Sequence, residues 1–573
     1  PEWILSLNEL YEKRMRWGEE SFAFVRPIRW ILALLNSQIV PFFLGSLRSG
    51  RYTFTHFYSG FTKVHISKIP EYFRYVPLEI LDIQKRREFV LQQIPHITRE
   101  FREVDFTYEL PGWGFATFSP DFLALPPEVI EAVISKQLRC YPLYDGEGKL
   151  LPRFLFTVDH KEGEWNREEV QKGYEAVANA RLTDALYFYQ NDIQIPFHQR
   201  KEQLKGIQFL HGMGSYFDKT ERLEWMIHHL PWKEYIPELN LEILSEAVSL
   251  CRVDQTTQLV REFTDLEGII GRAYLENPKT PCHLAEKLRP LVAGVIYESY
   301  LPRGSEDVLP QSLEGSVLSV ADKMDSLLAF FFSGYKPTGT KDPLGSRRLA
   351  AHILRIIFSN DLLLPLRHFL LVTAKELWKK PLDELFFQEI FEERAEHLSR
   401  EGIAGWNYEI FLICKKYLFS RPQYFYRLQK FLIRRRGAQL SEYARIATRV
   451  HNLAREAPIS LSGQELKKEI FREPEEEDVY SSVLLPWETW RLEKQTHSGL
   501  FPLEKMWEDW LLQVTPERIA LLDRFFDRVL VMHPEEEVRF NRLALLKRLD
   551  ECLQILGDMS ASGKSLEVLS ASE

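Results

Sequence analysis

The spacing of apolar positions changes once along the chain. Up to about residue 200 they come in short runs punctuated by Gly and Pro, which predicts mixed strands and short helices. Val40-Pro41-Phe42-Phe43-Leu44-Gly45 predicts a buried strand ending at its glycine. Tyr141 to Val158 predicts two strands around the turn that holds Gly146 and Gly148. Before it, Pro126-Pro127-Glu128 opens a helix. Proline suits a first helical turn and an acid there complements the macrodipole. Ile130, Val133, Ile134 and Leu138 follow at helical spacing.

From about Asp184 the spacing becomes helical. Val248 to Ile270 and Leu291 to Tyr300 carry apolar stripes with polar outer faces. Ser316 to Phe332 is apolar almost all round, which predicts a central, buried helix. Pro337 to Pro343 reads as a loop, and a new helix starts near Gly345. Further helices fill 371–460, separated by Pro381 and by Arg421-Pro422, and the rest is helical too. Glu475-Glu476-Glu477-Asp478 predicts a solvated helix N-terminus.

A chain of 573 residues is too long for one core. At roughly 100–200 residues per domain it holds about three to five. The expected class is an α+β multidomain protein, mixed α/β first and predominantly α-helical afterwards. The divisions read as 1–200, 201–370, 371–460 and 461–573. A net charge of −9 excludes a polycation, so any nucleic-acid contact must use a local basic surface. Five widely spaced cysteines without C-x-x-C predict free thiols in a reducing cytosol. The best candidate for a membrane span, Val25 to Leu44, is broken by Arg26, Arg29, Asn36 and Gln38. No secretory signal opens the chain, and the start at Pro1, in mid-pattern, suggests a segment upstream.

Several chemistries lack their residues. There is no phosphate-binding G-x-x-x-x-G-K-[ST], no H-E-x-x-H and no G-x-S-x-G. His211-Gly212-Met213-Gly214 lacks the third glycine and the strand–turn–helix context of a dinucleotide site, so it predicts a turn. The region 200–370 has the helical look of HD phosphohydrolases, whose metal needs a His-Asp doublet. The candidate doublet is Val253-Asp254, and valine cannot ligate. A metal-free HD-like scaffold is expected. Asp322 and Asp325, three apart on the buried helix, suggest either metal or acid–base work, or pairing with Lys323 or a nearby arginine.

Basic residues are segregated. Between Arg421 and Arg455 lie Arg427, Lys430, Arg434, Arg435, Arg436, Arg445 and Arg449, with Glu442 the only acid and Tyr424, Phe425, Tyr426 and Tyr443 interleaved. Cations take phosphates and aromatics stack on unpaired bases. The alternative is a basic helix pair whose aromatics are core. A second cluster holds Arg524, Arg528, Arg539, Arg542, Lys547 and Arg548.

This C-terminal segment resembles the DALR-type anticodon-binding domain of aminoacyl-tRNA synthetases. It carries Phe525-Phe526-Asp527, the Val529-Leu530-Val531-Met532 step and Arg539-Phe540-Asn541-Arg542-Leu543-Ala544-Leu545-Leu546. The whole chain resembles the beta subunit of bacterial heterotetrameric glycyl-tRNA synthetase. Its motifs occur in order. Met15-Arg16-Trp17-Gly18 precedes Phe24-Val25-Arg26-Pro27. Gln137, Tyr141-Pro142 and Gly148 to Pro152 are followed by Ala180 to Ala185 and Phe188. Then come Asp218 to Arg222, Tyr300 to Arg303, Ala321 to Asp325, and Pro337 to Pro343 with Arg347-Arg348. Three departures stand out. Thr55-His56-Phe57-Tyr58 replaces a Gly-His-Arg-Phe-like sequence, roughly 120 N-terminal residues of the family are missing, and Ser560 to Glu573 reads as a polar tail.

The resemblance implies a part of glycine–tRNA ligase, which joins glycine to its tRNA at the expense of ATP. This chain then binds tRNA-Gly without catalytic residues, cofactor or metal of its own. A partner alpha subunit, or a fused alpha region, uses ATP and Mg. The expected assembly is alpha2-beta2 or a dimer of fused chains, cytoplasmic, with no membrane and no DNA. The implied domains are an HD-like helical domain, a helical linker and the DALR-like bundle. Expected tRNA contacts are Arg524, Arg528, Arg539, Asn541 and Arg542 at the anticodon end, and Arg434, Arg435, Arg436, Arg445 and Arg449 in the basic linker. Asp527 could instead pair with Arg542 and fix the bundle. Two rival readings remain: an HD-type phosphohydrolase acting on nucleotides or RNA, and a non-catalytic RNA-binding scaffold.

Overall fold

A computed structural model describes residues 1–7, 13–18, 22–55, 60–76, 82, 84–85, 112–158, 163, 165–335, 342–457, 466–495, 503–561 and 565–570. The chain divides into two compact units, Pro1–Asp192 and Ile193–Glu573. The first carries small sheets and the second is helical among its described residues, giving the α+β multidomain class expected.

In the first unit the strands are β1 (Ile31–Leu32), β2 (Leu34–Leu35), β3 (Gln38–Ile39), β4 (Phe43–Leu44), β5 (Leu47–Gly50), β6 (Tyr52–Phe54) and β7 (Lys63–His65). The expected buried strand over Val40–Gly45 is not formed. Pro41 interrupts the ladder, Val40 and Phe43 are exposed, and only Leu44 is buried. Gly45, at φ 59°, turns β4 into β5 with a two-residue loop that favours such a backbone. The altered motif at 56–58 lies outside the described residues.

The second sheet joins β8 (Gly112–Thr117), β9 (Tyr141–Tyr144) and β10 (Leu150–Val158) in the order β8-β10-β9, all antiparallel. β9 and β10 are the predicted strands, and Gly148 at φ 78° closes their turn. β8 is additional. Its small residues Gly112, Gly114 and Ala116 face inward, and Phe156 lies over Gly114. The helix α1 (Arg167–Asp192) covers this sheet, with Tyr174 stacked on Phe156. It starts well before Asp184, and its first half buries little apolar surface, so no apolar stripe marks that start in the sequence.

In the second unit α2 (Tyr216–His229), α3 (Leu241–Leu250), α4 (Ile269–Glu276), α5 (Arg289–Ser299), α6 (Leu313–Phe332) and α7 (Ser346–Ser359) form one packed group. α6 is the predicted central helix, contacted by α2, α3, α5 and α7. Residues 248–270 are not one helix. Arg252, at φ 64°, follows the end of α3, and three short helical turns come before α4. His211 to Gly214 is a turn, with Gly212 and Gly214 at positive φ, and it feeds the Ser215–Asp218 capping box of α2.

Further along lie α8 (Tyr408–Cys414), α9 (Pro422–Arg434), α10 (Ala438–Ala454), α11 (Pro474–Val479), α12 (Leu485–Gln495), α13 (Leu503–Gln513), α14 (Pro516–Arg528), α15 (Glu536–Leu553) and α16 (Ser565–Ser570). The end of the chain is not a free polar tail. Met559 and Leu569 are buried, and the Leu569 carbonyl accepts from the Gly437 amide at 2.8 Å. Gly557 makes this return possible. It sits at φ 103°, and a Cβ there would lie 2.6 Å from the Ile413 carbonyl. Gly557→Ala is therefore expected to cost about 1–3 kcal/mol, read as a lowered thermal midpoint. An unchanged midpoint would mean that the tail does not dock there. Among the described residues, no helix is long and apolar enough to cross a membrane.

Candidate nucleic-acid interface

Around the candidate doublet Val253-Asp254 the nearby carboxylates are held by protein donors. Val253 and Asp254 are buried, and the Asp254 carboxylate accepts from the Tyr300 hydroxyl at 2.7 Å and from the Gly268 amide. Asp322 pairs with Arg252 at 2.6 Å and with Lys219 at 3.2 Å. Asp325 takes Arg222 at 2.6 Å and the same Lys219 at 3.2 Å. Both aspartates thus pair with cations, though not with Lys323. That lysine donates to the Leu301 carbonyl at 2.6 Å and the Ser319 hydroxyl at 2.7 Å, and burial brings its pKa down to about 7. Burial pushes the Asp322 carboxyl up, but Arg252 and Lys219 outweigh it and hold it below the usual carboxylate range. This donor set does not fit a divalent metal, because guanidinium and ammonium groups already hold Asp322. Among the described residues no three His, Cys, Asp or Glu side chains gather as a metal site.

The basic stretch from Arg421 to Arg455 is less bare in space than in sequence. Arg434 pairs with Glu504 at 2.8 Å and Arg435 with Glu508 at 2.5 Å, both acids coming from α13. Arg445 takes Asp523 of α14 at 2.8 Å and Glu442 at 2.9 Å. Arg449 lies over the Phe526 ring at 4.5 Å, with Asp523 and Asp527 each 3.9 Å away. Arg436 donates to the Gly405 carbonyl at 3.0 Å. Tyr424, Phe425 and Tyr443 are buried core residues, and only Tyr426 is partly exposed. Their stacking on bases is thereby excluded, since aromatics at these positions fill the α9–α10 core.

The C-terminal cluster separates into two groups. Arg524 and Arg528 lie one turn apart on α14 and face solvent. Arg524 has no ion partner among the described residues, while Arg528 holds Glu475 at 2.9 Å with most of its side chain in water. Arg539 is partly exposed, donating to the His533 carbonyl at 3.4 Å. Asn541 and Arg542, expected at the RNA surface, are instead buried on the inner side of α15. Asn541 exchanges two 3.0 Å hydrogen bonds with the Lys467 backbone. Arg542 is 1% exposed and grips Glu476 bidentately at 3.0 and 2.9 Å, with a third bond to the Leu530 carbonyl at 2.8 Å. The anticipated Asp527 pairing is not made.

Glu476 is the residue that sequence reasoning missed. It belongs to the expected helix N-terminus, but Glu475 and Glu476 are buried rather than solvated. Glu476 also accepts from the Arg472 and Glu473 amides at 2.8 and 2.9 Å. Burial raises its carboxyl, but Arg542 and those amides more than offset this and leave its pKa lowered. Glu473, three residues ahead, completes a capping box, and that spacing was the available signal.

Residues 1–413 match the family model described as glycyl-tRNA synthetase beta subunit. Among curated relatives, the glycine–tRNA ligase beta subunit of Thermodesulfovibrio yellowstonii is 29% identical, covering 97% of this chain and 79% of its own. That of Desulforamulus reducens is 31% identical, over 94% of this chain and 77% of its own. That of Lawsonia intracellularis is 31% identical, over 98% and 80% respectively. These matches define an aminoacyl-tRNA synthetase subunit. More narrowly, the chain belongs to the glycyl-tRNA synthetase beta subunit family.

Proposed function

We propose that this chain is the tRNA-binding part of a cytoplasmic glycine–tRNA ligase. It grips tRNA-Gly, while an alpha partner or fused alpha region carries adenylation and transfer with ATP and Mg. In this reading the Ile193–Glu573 unit combines an HD-like scaffold, a helical linker and a DALR-like bundle. The charges fixed around Asp322 then serve architecture. The first unit serves the acceptor arm and elbow. The anticodon arm docks at the outer side of α14. The observation that carries the reading is family membership over nearly the whole chain, joined to a solvent-facing arginine pair on an otherwise acidic protein.

Glycylation should require the alpha part, and the chain alone should give no glycine-dependent ATP–pyrophosphate exchange. Exchange by this chain alone would overturn the division of labour. At the anticodon end, Arg524→Ala should weaken tRNA-Gly binding and lower the slope of log affinity against log salt by about one, as for one lost phosphate contact. Binding identical to the parent at two salt concentrations would remove α14 from the interface.

A further inference from the structure

Residues 22–76 carry seven lysines and arginines against a single acid, Glu71, in a chain whose net charge is −9. Arg26, Arg29, Arg48, Lys63 and Lys68 are exposed and form no ion pair among the described residues. Arg51 donates to the Ser37 carbonyl at 3.1 Å. Glu71 lies in the field of Arg74 and accepts from the Ser67 amide at 2.7 Å. The strands of this segment pair only with one another, so the acids of the β8-β10-β9 sheet and of α1 sit on other elements.

The hairpin of β6 and β7 sets aromatic rings among these cations. Its register pairs Tyr52 with His65 and Phe54 with Lys63, which puts all four on one face, while Thr53 is buried on the other. Trp30 meets the Phe54 ring at 4.6 Å, and Phe61 lies parallel to Phe54 at 4.7 Å and 13°. The Lys63 ammonium stands 3.9 Å over Tyr52. Phe61 is held at φ 46°, a left-handed backbone that bulky residues seldom adopt, and its ring is 39% exposed. A cluster serving only as a core would turn these groups inward. Here Phe61, Lys63 and His65 remain in water.

We propose that this hairpin face is a contact for an unpaired stretch of the bound tRNA, with a base stacked on Phe61 and a phosphate on Lys63. The inference rests on the tRNA-binding reading above and names the part of the first unit that meets the RNA. Charge decides the kind of occupant. Unopposed cations over a whole segment of an acidic chain call for a polyanion. Ring faces beside them suit a strand that alternates phosphates with flat bases, and such stacking tolerates any base. An acidic protein segment would satisfy the cations but leave the exposed ring of Phe61 without a flat partner.

The test uses the full chain and two RNAs, tRNA-Gly and a short single-stranded oligouridylate. Phe61→Leu keeps apolar bulk but loses the flat face, and it should weaken both RNAs about tenfold. Its salt slope should stay that of the parent, because stacking releases no counterions. Phe61→Tyr keeps the ring and should bind like the parent. Lys63→Ala should lower the slope of log affinity against log salt by about one. Thermal unfolding is followed for each variant. If Phe61→Leu proves unstable, Lys63→Ala, whose side chain is in water, carries the test. Suppose Arg524→Ala flattens the slope for tRNA-Gly while Phe61→Leu and Lys63→Ala bind like the parent. The hairpin face is then wrong and the tRNA-binding reading stands. If the parent chain binds no tRNA-Gly, both fall together. If Lys63→Ala acts but Phe61→Leu binds like the parent, the face takes phosphate without a base and the stacking proposal is overturned. If the variants change only self-association in sedimentation, with RNA affinity intact, the surface is a protein contact and the proposal is likewise overturned.

Discussion

Asp325→Ala is expected to lower the stability of the helical unit by about 3–5 kcal/mol, read as a large fall in the denaturant midpoint. Asp325 is fully buried and accepts from Arg222 twice, at 2.6 and 3.0 Å, and from Lys219 at 3.2 Å. Alanine removes the negative charge and leaves Lys219 in the interior. Lys219 keeps Asp322, but Asp322 already serves Arg252. One carboxylate would then face two buried cations. Desolvation makes such a deficit far more costly than the loss of a surface pair, which is worth at most about 1 kcal/mol. Exchanging Asp325, Lys219 and Arg222 together for apolar residues of similar volume should cost much less, since no charge is stranded. If Asp325→Ala shifts the midpoint by less than the triple exchange does, water reaches this cluster and its charges are not desolvated.

Asp322 adds a pH dependence to the same cluster. Its carboxyl is held below its ordinary 3.8 in the folded chain. The stability it contributes is therefore complete above that value and fades as pH falls toward the lower folded pKa. The stabilising charge pairing is thus sensitive to strong acid only.

What the sequence revealed depended on whether a pattern is local. α6 was legible because a run that is apolar on every side has few alternatives to burial. β9 and β10 were legible because a glycine turn and two apolar runs are contiguous. β8 and the first half of α1 were not, since one hides its burial in Gly and Ala and the other in a largely polar surface. The basic stretch illustrates the same limit for the site. Arg434, Arg435 and Arg445 look unopposed in order along the chain, yet Glu504, Glu508 and Asp523 arrive from helices far downstream. Buried and exposed arginines also look alike in a list of letters. Arg542 sits at a position between Asn541 and Leu543 where the helix faces inward, whereas Arg524 sits on an outer face. Only the fold separates an arginine that braces the bundle from one that meets a ligand.

Arg542→Met should therefore act on stability rather than on phosphate binding. The guanidinium supplies three bonds: two to Glu476, which is itself 1% exposed, and one to the Leu530 carbonyl. Methionine matches much of the volume but leaves Glu476 buried with only the Arg472 and Glu473 amides. The expected loss is about 3–5 kcal/mol for the C-terminal bundle, read in its unfolding transition. Combining Arg542→Met with Glu476→Gln should recover part of that loss, because a neutral amide costs less to bury than a carboxylate. Arg542→Lys should fall between, since a single ammonium cannot serve both carboxylate oxygens and the carbonyl together. In the lysine variant, the slope of tRNA affinity against salt should equal that of the parent, because Arg542 releases no counterion. A stable Arg542→Met chain whose salt slope drops by about one would instead put this arginine on a phosphate and would require the 474–479 helix to open when RNA binds.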